Sequence, residues 1–227
     1  MIEFIKQKMI ALYSFFVTPP KACWIDRSVF EYVNKFDGGK VINLGSGIGT
    51  FDEFIKVKTI DLDIRANPNI HIIADAHYLP FKDGSIDCIF SNAVLEHVQF
   101  PWIVSKEINR VLKKGGYVCI NVPFLNIIHD SYGNDGQDYF RFTPKGLRAC
   151  FQDFQEVKTG MSAGPMAFLV VYLGSLISTL VNIRVIGFLI SLPFKLVLYP
   201  FFYLDLLMKN KKWETFADAF YFVGIKR

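Results

Sequence analysis

Val41-Ile42-Asn43-Leu44-Gly45-Ser46-Gly47-Ile48-Gly49-Thr50 decides how this chain is read. An apolar run suited to a strand enters a turn in which three glycines stand one residue apart. A buried strand ending this way brings bare backbone N–H groups against a ligand, with a helix N-terminus expected behind them. Nucleotide-like cofactors use that geometry, and the residues downstream decide which one. Nicotinamide dinucleotides call for G-x-G-x-x-G. Here the third glycine arrives one residue early, as Gly45-x-Gly47-x-Gly49.

Outward from this turn, apolar runs alternate with helical stretches between residues 41 and 124. The pattern predicts strands at Val41–Leu44, Val57–Leu62, Ile70–Ala74, Ile86–Ser91 and Tyr117–Val122, and helices near 50–56, 101–112 and 143–151. Such alternation implies a parallel sheet with crossover helices on both faces. Gly115-Gly116 reads as the stop of the helix before the fifth strand. Further strands near Phe154–Met161 and Ala219–Ile225 complete a Rossmann-like α/β fold with a seven-stranded, mostly parallel sheet.

The composition excludes several classes. A net charge of +4 on 227 residues is too mild and too poorly clustered for a nucleic-acid binder. Cys23, Cys88, Cys119 and Cys150 show no C-x-x-C spacing and read as apolar fillers of a reducing compartment. The four histidines offer no H-x-x-x-H pair, so no metal is expected. Residues 2–16 place Ile2, Ile5, Met9, Leu12, Tyr13 and Phe16 at helical spacing, ended by Pro19-Pro20. No small-residue cleavage site follows, which argues against a signal peptide. That helix either packs on the domain edge or lies on a membrane surface.

Four segments follow: an amphipathic stretch over 1–36, the cofactor core over 37–160, an apolar helical insertion over 161–213, and the last core strand within 214–227. Gly160–Ile183 carries no charge, and Val185–Met208 is broken only by Lys195 and Asp205. Met166–Ile183 just reaches spanning length, while Pro193 and Pro200 interrupt the second half. The insertion is a buried core helix, a lid over the site, or a membrane hairpin. In the last case Arg184 lies at the far turn, and Lys209, Lys211 and Lys212 lie on the cytoplasmic side. The expectation is a cytoplasmic protein associated with the inner membrane face.

The residues after the glycine turn come in a telling order. Asp63 ends the second strand, with Asp61 two residues before it. Asp75-Ala76 follows the third strand, and Asn92-Ala93 and Leu95-Glu96-His97-Val98 follow the fourth. Glu107-Ile108-Asn109-Arg110-Val111-Leu112-Lys113-Lys114-Gly115-Gly116 then leads into the fifth. Over residues 40–160 this series resembles the class I S-adenosylmethionine-dependent methyltransferases, in their small-molecule branch. The resemblance implies S-adenosyl-L-methionine as cofactor. It implies that Gly45, Gly47 and Gly49 line its methionine part, that Asp63 holds the ribose, and that Asp75 with Ala76 holds the adenine. Asn92 and Ala93 would lie beneath it. Asn43 stands where that family usually has an acid, so its amide would accept from the methionine ammonium without charge assistance.

The acceptor would be chosen by loops at the strand ends. After the fifth strand, His129 is a candidate general base. Asp138 can orient that imidazole or bind a sugar hydroxyl, and Tyr139 and Arg141 can grip a ring or an anionic substituent. Asp138 and Arg141 can equally form a loop-closing ion pair, and Thr143-Pro144 is an ordinary helix start. The His129 and Asp138-Tyr139-Phe140-Arg141-Phe142-Thr143 arrangement is similar to methyltransferases of bacterial surface-polysaccharide and glycosyl-transfer systems. That resemblance implies a small-molecule or glycolipid acceptor. The other readings are a membrane-docked protein that binds cofactor without turnover, and an NAD(P)-linked oxidoreductase.

Overall fold

Val41-Ile42-Asn43-Leu44 forms β1 (Val41–Leu44), buried along its whole length. Continuous burial marks a strand covered on both faces, as parallel strands are. The computed structural model describes residues 26–47, 54–129, 137–180, 190, 193–194 and 196–227. In it β1 pairs in parallel with β2 (Thr59–Asp63) on one side and β4 (Ile86–Asn92) on the other. The remaining strands are β3 (Ile72–Ile73), β5 (Leu112–Pro123), β6 (Phe154–Ala163) and β7 (Ala219–Lys226). They build one seven-stranded sheet in the order β3-β2-β1-β4-β5-β7-β6. β3 and β5 also pair in parallel with their neighbours β2 and β4, and β5 meets β7 antiparallel. The winding reverses between β1 and β4, and in open sheets ligands bind at the strand C-terminal ends beside that point.

Burial of the strand side chains holds the sheet together. Ile42, Leu44, Ile89 and Phe90 are each fully buried, and each contributes about 1.5–3 kcal/mol by leaving water. The short helix α1 (Ser28–Val33) packs Phe30 on Phe90 and Tyr32 on Tyr117, with ring centroids 5.5 and 5.7 Å apart. Asp26 ties its start down: the carboxylate accepts from Ser28 N–H and the Tyr221 hydroxyl and pairs with Lys158. Helix α2 (Pro101–Val111) buries Val104, Ile108 and Val111 at helical spacing. Helix α3 (Pro144–Cys150) starts at Thr143, whose hydroxyl accepts from Gly146 N–H. Cys88 and Cys119 are buried free thiols, and Cys150 is half-buried; Cys23 lies outside the described residues.

Three local expectations are corrected. β3 is two residues long rather than five, because it is an edge strand with one partner and Ile73 is exposed. Residues 54–56 are turn and irregular backbone rather than helix, while 50–53 lie outside the described residues. Gly115-Gly116 does not stop the helix, which ends at Val111 with Leu112 already extended. The pair lies inside β5, where the register with β4 shifts between the Ile86–Leu112 and Cys88–Tyr117 pairs. There a Cβ on Gly116 would stand 3.0 Å from the Asp87 carbonyl oxygen.

The chain divides into two units. The sheet unit comprises Asp26–Phe124, Ile128–Gly160 and Ala219–Arg227. The described part of the second unit comprises Leu125–Ile127 and residues within Met161–Asp218. In the second unit α4 (Pro165–Thr179) begins at Gly164, which has no capping side chain. The cap comes from Asp205, in a 3-10 stretch over Tyr199–Leu207, whose carboxylate accepts from Met166 N–H at 2.8 Å and Ala167 N–H at 2.9 Å. This explains a buried charge inside an apolar segment. Among the described residues no helix is long and apolar enough to cross a membrane. The N-terminal helix over 2–16 and the far turn at Arg184 lie outside the described residues.

Candidate active site

The turn after β1 is built by two glycines with different duties. Gly45 has φ +69° and Gly47 φ +55°, a region that side chains enter at a cost of about 1–2 kcal/mol. A Cβ on Gly45 would fall 2.2 Å from Val94 Cγ2, whereas one on Gly47 would meet nothing within 4 Å among the described residues. Packing therefore demands the first glycine, and the second faces open space. Gly45 N–H and Ser46 N–H both donate to the Leu62 carbonyl at the end of β2. Gly47 N–H donates to Asp63 Oδ2 at 3.0 Å, and Arg65 N–H to Asp63 Oδ1 at 3.0 Å. Asn67 Nδ2 closes the loop on the Gly47 carbonyl. Gly49 lies outside the described residues.

A cavity of about 490 Å³ opens over this turn, a size typical of small-molecule sites. Gly45, Gly47, Asp63, Asp75, Ala76 and Ala93 all line it. Two carboxylates and the glycine backbone thus converge on one space although they follow three different strands. Asp75 Oδ1 accepts from His77 N–H and meets His77 Nδ1 at 2.6 Å. Burial works to raise the Asp75 carboxyl, and the His77 bonds outweigh it, holding the group below its ordinary value. Ala93 has φ +53°, strained for alanine, and its N–H donates to the Asn121 carbonyl. Asn43 and Asn92 sit beside the cavity lining rather than in it. Asn43 Nδ2 donates to Asp61 Oδ1, and Asn92 Oδ1 accepts from Asn121 Nδ2.

Glu107 and Arg110 on α2 brace the loop that follows Asp75-Ala76. Glu107 Oε1 accepts from Leu79 N–H, while Arg110 donates to the Leu79 and Phe81 carbonyls and pairs with Asp83. Pairing with Glu107 first, and with Asp83, raises the guanidinium above its ordinary value.

At the acceptor end the expected residues gather, but not all in the expected roles. Arg141 pairs with Asp138, with Nη2 2.6 Å from Oδ2, and the same oxygen accepts from His129 N–H at 2.7 Å. Asp138 is nearly buried and spends its oxygens on this loop. The loop-closing pair is therefore present, and the His129 Nδ1 atom lies 3.8 Å from Asp138. Of the four residues only Tyr139 lines the cavity, beside Gln137 and His97.

Two residues here were given no role by the sequence alone. His97 and fully buried Glu96 form a single helical turn just past β4. The Glu96 carbonyl accepts from Tyr139 N–H and Phe140 N–H, fastening the acceptor loop to the end of β4. Burial pushes its carboxyl up to about 8, and lowers the His97 imidazole. Glu96, His97 and His129 bring one ligand atom each within 4.8 Å of one another. Spacing along the chain misses this set because Glu96 and His97 follow β4 whereas His129 follows β5.

Residues 44–120 match the family model described as a methyltransferase domain. That stretch is similar to a methyltransferase domain. The match spans the glycine turn, both cavity carboxylates, and the braces on α2. A methyltransferase of Mycobacterium sp. (strain KMS) is 31% identical over 97 residues, which cover 37% of this chain and 38% of that protein. The chain thus spans well under half the length of this curated relative. A putative sarcosine dimethylglycine methyltransferase from Galdieria sulphuraria superposes with a TM-score of 0.56 at 16% identity, covering 88% of this chain and 82% of that one. The Haemonchus contortus phosphoethanolamine N-methyltransferase 2 in complex with S-adenosyl-L-methionine does so with a TM-score of 0.53 at 14% identity, covering 88% and 52%. At such identity these structures share the Rossmann-like fold of the domain.

Proposed function

We propose that the whole chain transfers a methyl group from S-adenosylmethionine to a hydroxyl of a saccharide or lipid-linked saccharide. The observation that carries this reading is one cavity that joins Gly45, Gly47, Asp63 and Asp75 to His97, Gln137 and Tyr139. The bound sulfonium supplies an electrophilic methyl and a neutral thioether leaving group. The C–S bond breaks toward sulfur as the C–O bond forms, and the acceptor oxygen loses its proton. Asp63 and Asp75 accept from the ribose and adenine, and the glycine turn lets the backbone approach closely. Loops at the strand ends position the acceptor and keep water out, which accounts for most of the acceleration. His129, whose backbone N–H is held by Asp138 beside the cavity, is the candidate proton acceptor.

A saccharide is favoured by the rim. Tyr78, Phe100, Trp102 and Tyr139 are all large and exposed. Phe100 meets the cavity residue His77 and also Trp102, which in turn meets Phe140 beside Tyr139. Exposed rings beside a cleft that carries two carboxylates suit the apolar C–H face of a sugar. A membrane-borne acceptor at the inner leaflet is supported by Leu169, Tyr172 and Leu176, exposed at helical spacing on α4.

Calorimetry with S-adenosylmethionine, its demethylated product and NAD, followed by transfer of labelled methyl into cell-surface glycolipid extracts, tests the proposal. Binding of the first two and label in the saccharide fraction are expected. Failure of both S-adenosylmethionine and its product to bind refutes the reading. Label appearing only in protein or nucleic acid refutes the acceptor class. Trp102→Ala should raise the acceptor KM and leave cofactor affinity unchanged.

A further inference from the structure

Glu96 presents a puzzle in hydrogen bonding. Its carboxyl is fully buried, and among the described residues no group beyond its own backbone N–H donates to either oxygen. Buried polar groups are normally paired, and an orphaned carboxylate is among the costliest groups to leave unpaired. Two imidazole nitrogens converge on it instead. His97 Nε2 lies 3.8 Å and His129 Nε2 3.9 Å from the same oxygen, Oε1.

The far nitrogens each face an oxygen acceptor, hydrogen-bonded for His97 and at 3.8 Å for His129. His97 Nδ1 lies against the Gln137 carbonyl oxygen, which can only accept. In the neutral ring the proton therefore sits on Nδ1, and Nε2 turns its lone pair toward Glu96. His129 Nδ1 faces Asp138, which is held in turn by Arg141. A carbonyl or carboxylate on the outer nitrogen is the arrangement that orients metal-ligating histidines. The three ligand atoms lie within 4.8 Å of one another. Bonds of about 2.0–2.2 Å in a tetrahedral site set ligand atoms roughly 3.5 Å apart, so a small side-chain shift brings them into coordination.

We propose that Glu96, His97 and His129 bind one divalent transition-metal ion of the zinc class. A bound cation gives the buried Glu96 oxygens the partner they lack and takes up the lone pair of His97. Two imidazoles favour zinc, iron(II) or cobalt(II) over magnesium or calcium. Three protein ligands leave a coordination position for an acceptor oxygen. Because His97 also lines the cofactor cavity, a hydroxyl bound there would lie beside the methyl group and ionise more readily. That role rests on the methyl-transfer reading, whereas metal binding does not. With the ion in place His129 serves as a ligand rather than as a base.

The full-length protein, purified without added metal, is analysed by plasma mass spectrometry. It is then stripped with chelator and titrated with Co²⁺, whose visible absorption reports coordination. About one equivalent of retained metal, or saturable Co²⁺ binding displaced by Zn²⁺, is expected. Glu96→Gln and His129→Ala should each weaken Co²⁺ binding at least tenfold. His129 is about a third exposed, so its variant keeps the test informative if the buried Glu96 variant fails to fold. No retained metal and no saturable Co²⁺ binding by folded wild type would overturn the proposal. So would binding that neither variant changes, and a proton shared among the three groups is then the answer to the orphaned carboxylate. Calorimetry of S-adenosylmethionine on the same samples separates the two readings. Cofactor binding without metal binding sinks only the metal site, and metal binding without cofactor binding sinks only the methyl-transfer reading.

Discussion

Alanine at Gly45 and alanine at Gly47 should separate packing from ligand access within one turn. Both backbones lie at positive φ, so each substitution costs about 1–2 kcal/mol in conformation alone. Only at Gly45 does the new Cβ collide, 2.2 Å from Val94 Cγ2 and 3.2 Å from Cγ1. Overpacking of this kind adds about 1–3 kcal/mol. Gly45→Ala is therefore expected to lose about 2–5 kcal/mol of unfolding free energy, against about 1–2 kcal/mol for Gly47→Ala. Urea denaturation with unchanged m-value reads the difference. Val94→Ala removes both offending methyls, so in a double-mutant cycle it should restore about 1–3 kcal/mol in the Gly45→Ala background. Calorimetry should rank the variants differently. Gly47→Ala puts a methyl into open space at the cavity wall and should weaken S-adenosylmethionine binding about tenfold, a loss of about 1.4 kcal/mol. Equal destabilisation by the two alanines, or coupling between positions 45 and 94 below about 0.5 kcal/mol, would refute the assignment of separate duties.

The other expectations are simpler. Asp205→Ala strands two N–H groups at the start of α4 and should cost about 2–4 kcal/mol, with Asp205→Asn losing roughly half. A change under about 0.5 kcal/mol would mean that water replaces the cap. The Asp26 carboxyl, which burial works to raise, is brought down to about 2 by Lys158, Ser28 and Tyr221, from 3.8. A depressed folded value contributes stability above the unfolded one and loses it as pH falls through about 2. Wild type should therefore lose about 1 kcal/mol more than Asp26→Asn between pH 5 and pH 2, after allowance for its partial exposure. Parallel acid titration of both proteins by circular dichroism checks this. Arg110→Met should loosen the loop after Asp75 and weaken S-adenosylmethionine binding severalfold, with no more than about 1–2 kcal/mol lost in stability because the guanidinium is part-exposed. Hydrogen exchange at Leu79–Asp83 should rise in that variant.

Much of the cofactor half was legible because its signals are local. A buried run, a glycine turn and an acid at the next strand end each lie within a few residues, and the alternation of elements places them at one edge of a parallel sheet. Where short-range signals failed, a longer-range contact had overruled them. Gly115-Gly116 looks like a helix stop from its neighbours, yet the approach of the Asp87 backbone recruits it into β5. Ile70–Ala74 looks like a full strand, but with a partner on only one side it pairs over two residues.

By itself, the sequence determined the sheet, the turn and the two acids that face a shared space. Strand periodicity, glycine spacing and strand-end position are properties of adjacent residues. Only the tertiary structure decided which polar groups meet at the acceptor end. Asp138 closes its loop on Arg141, and Glu96 is buried between His97 and His129, because the residues past β4 and β5 are brought side by side when those strands pair in register. That register depends on side chains packed from distant parts of the chain, which no local spacing encodes.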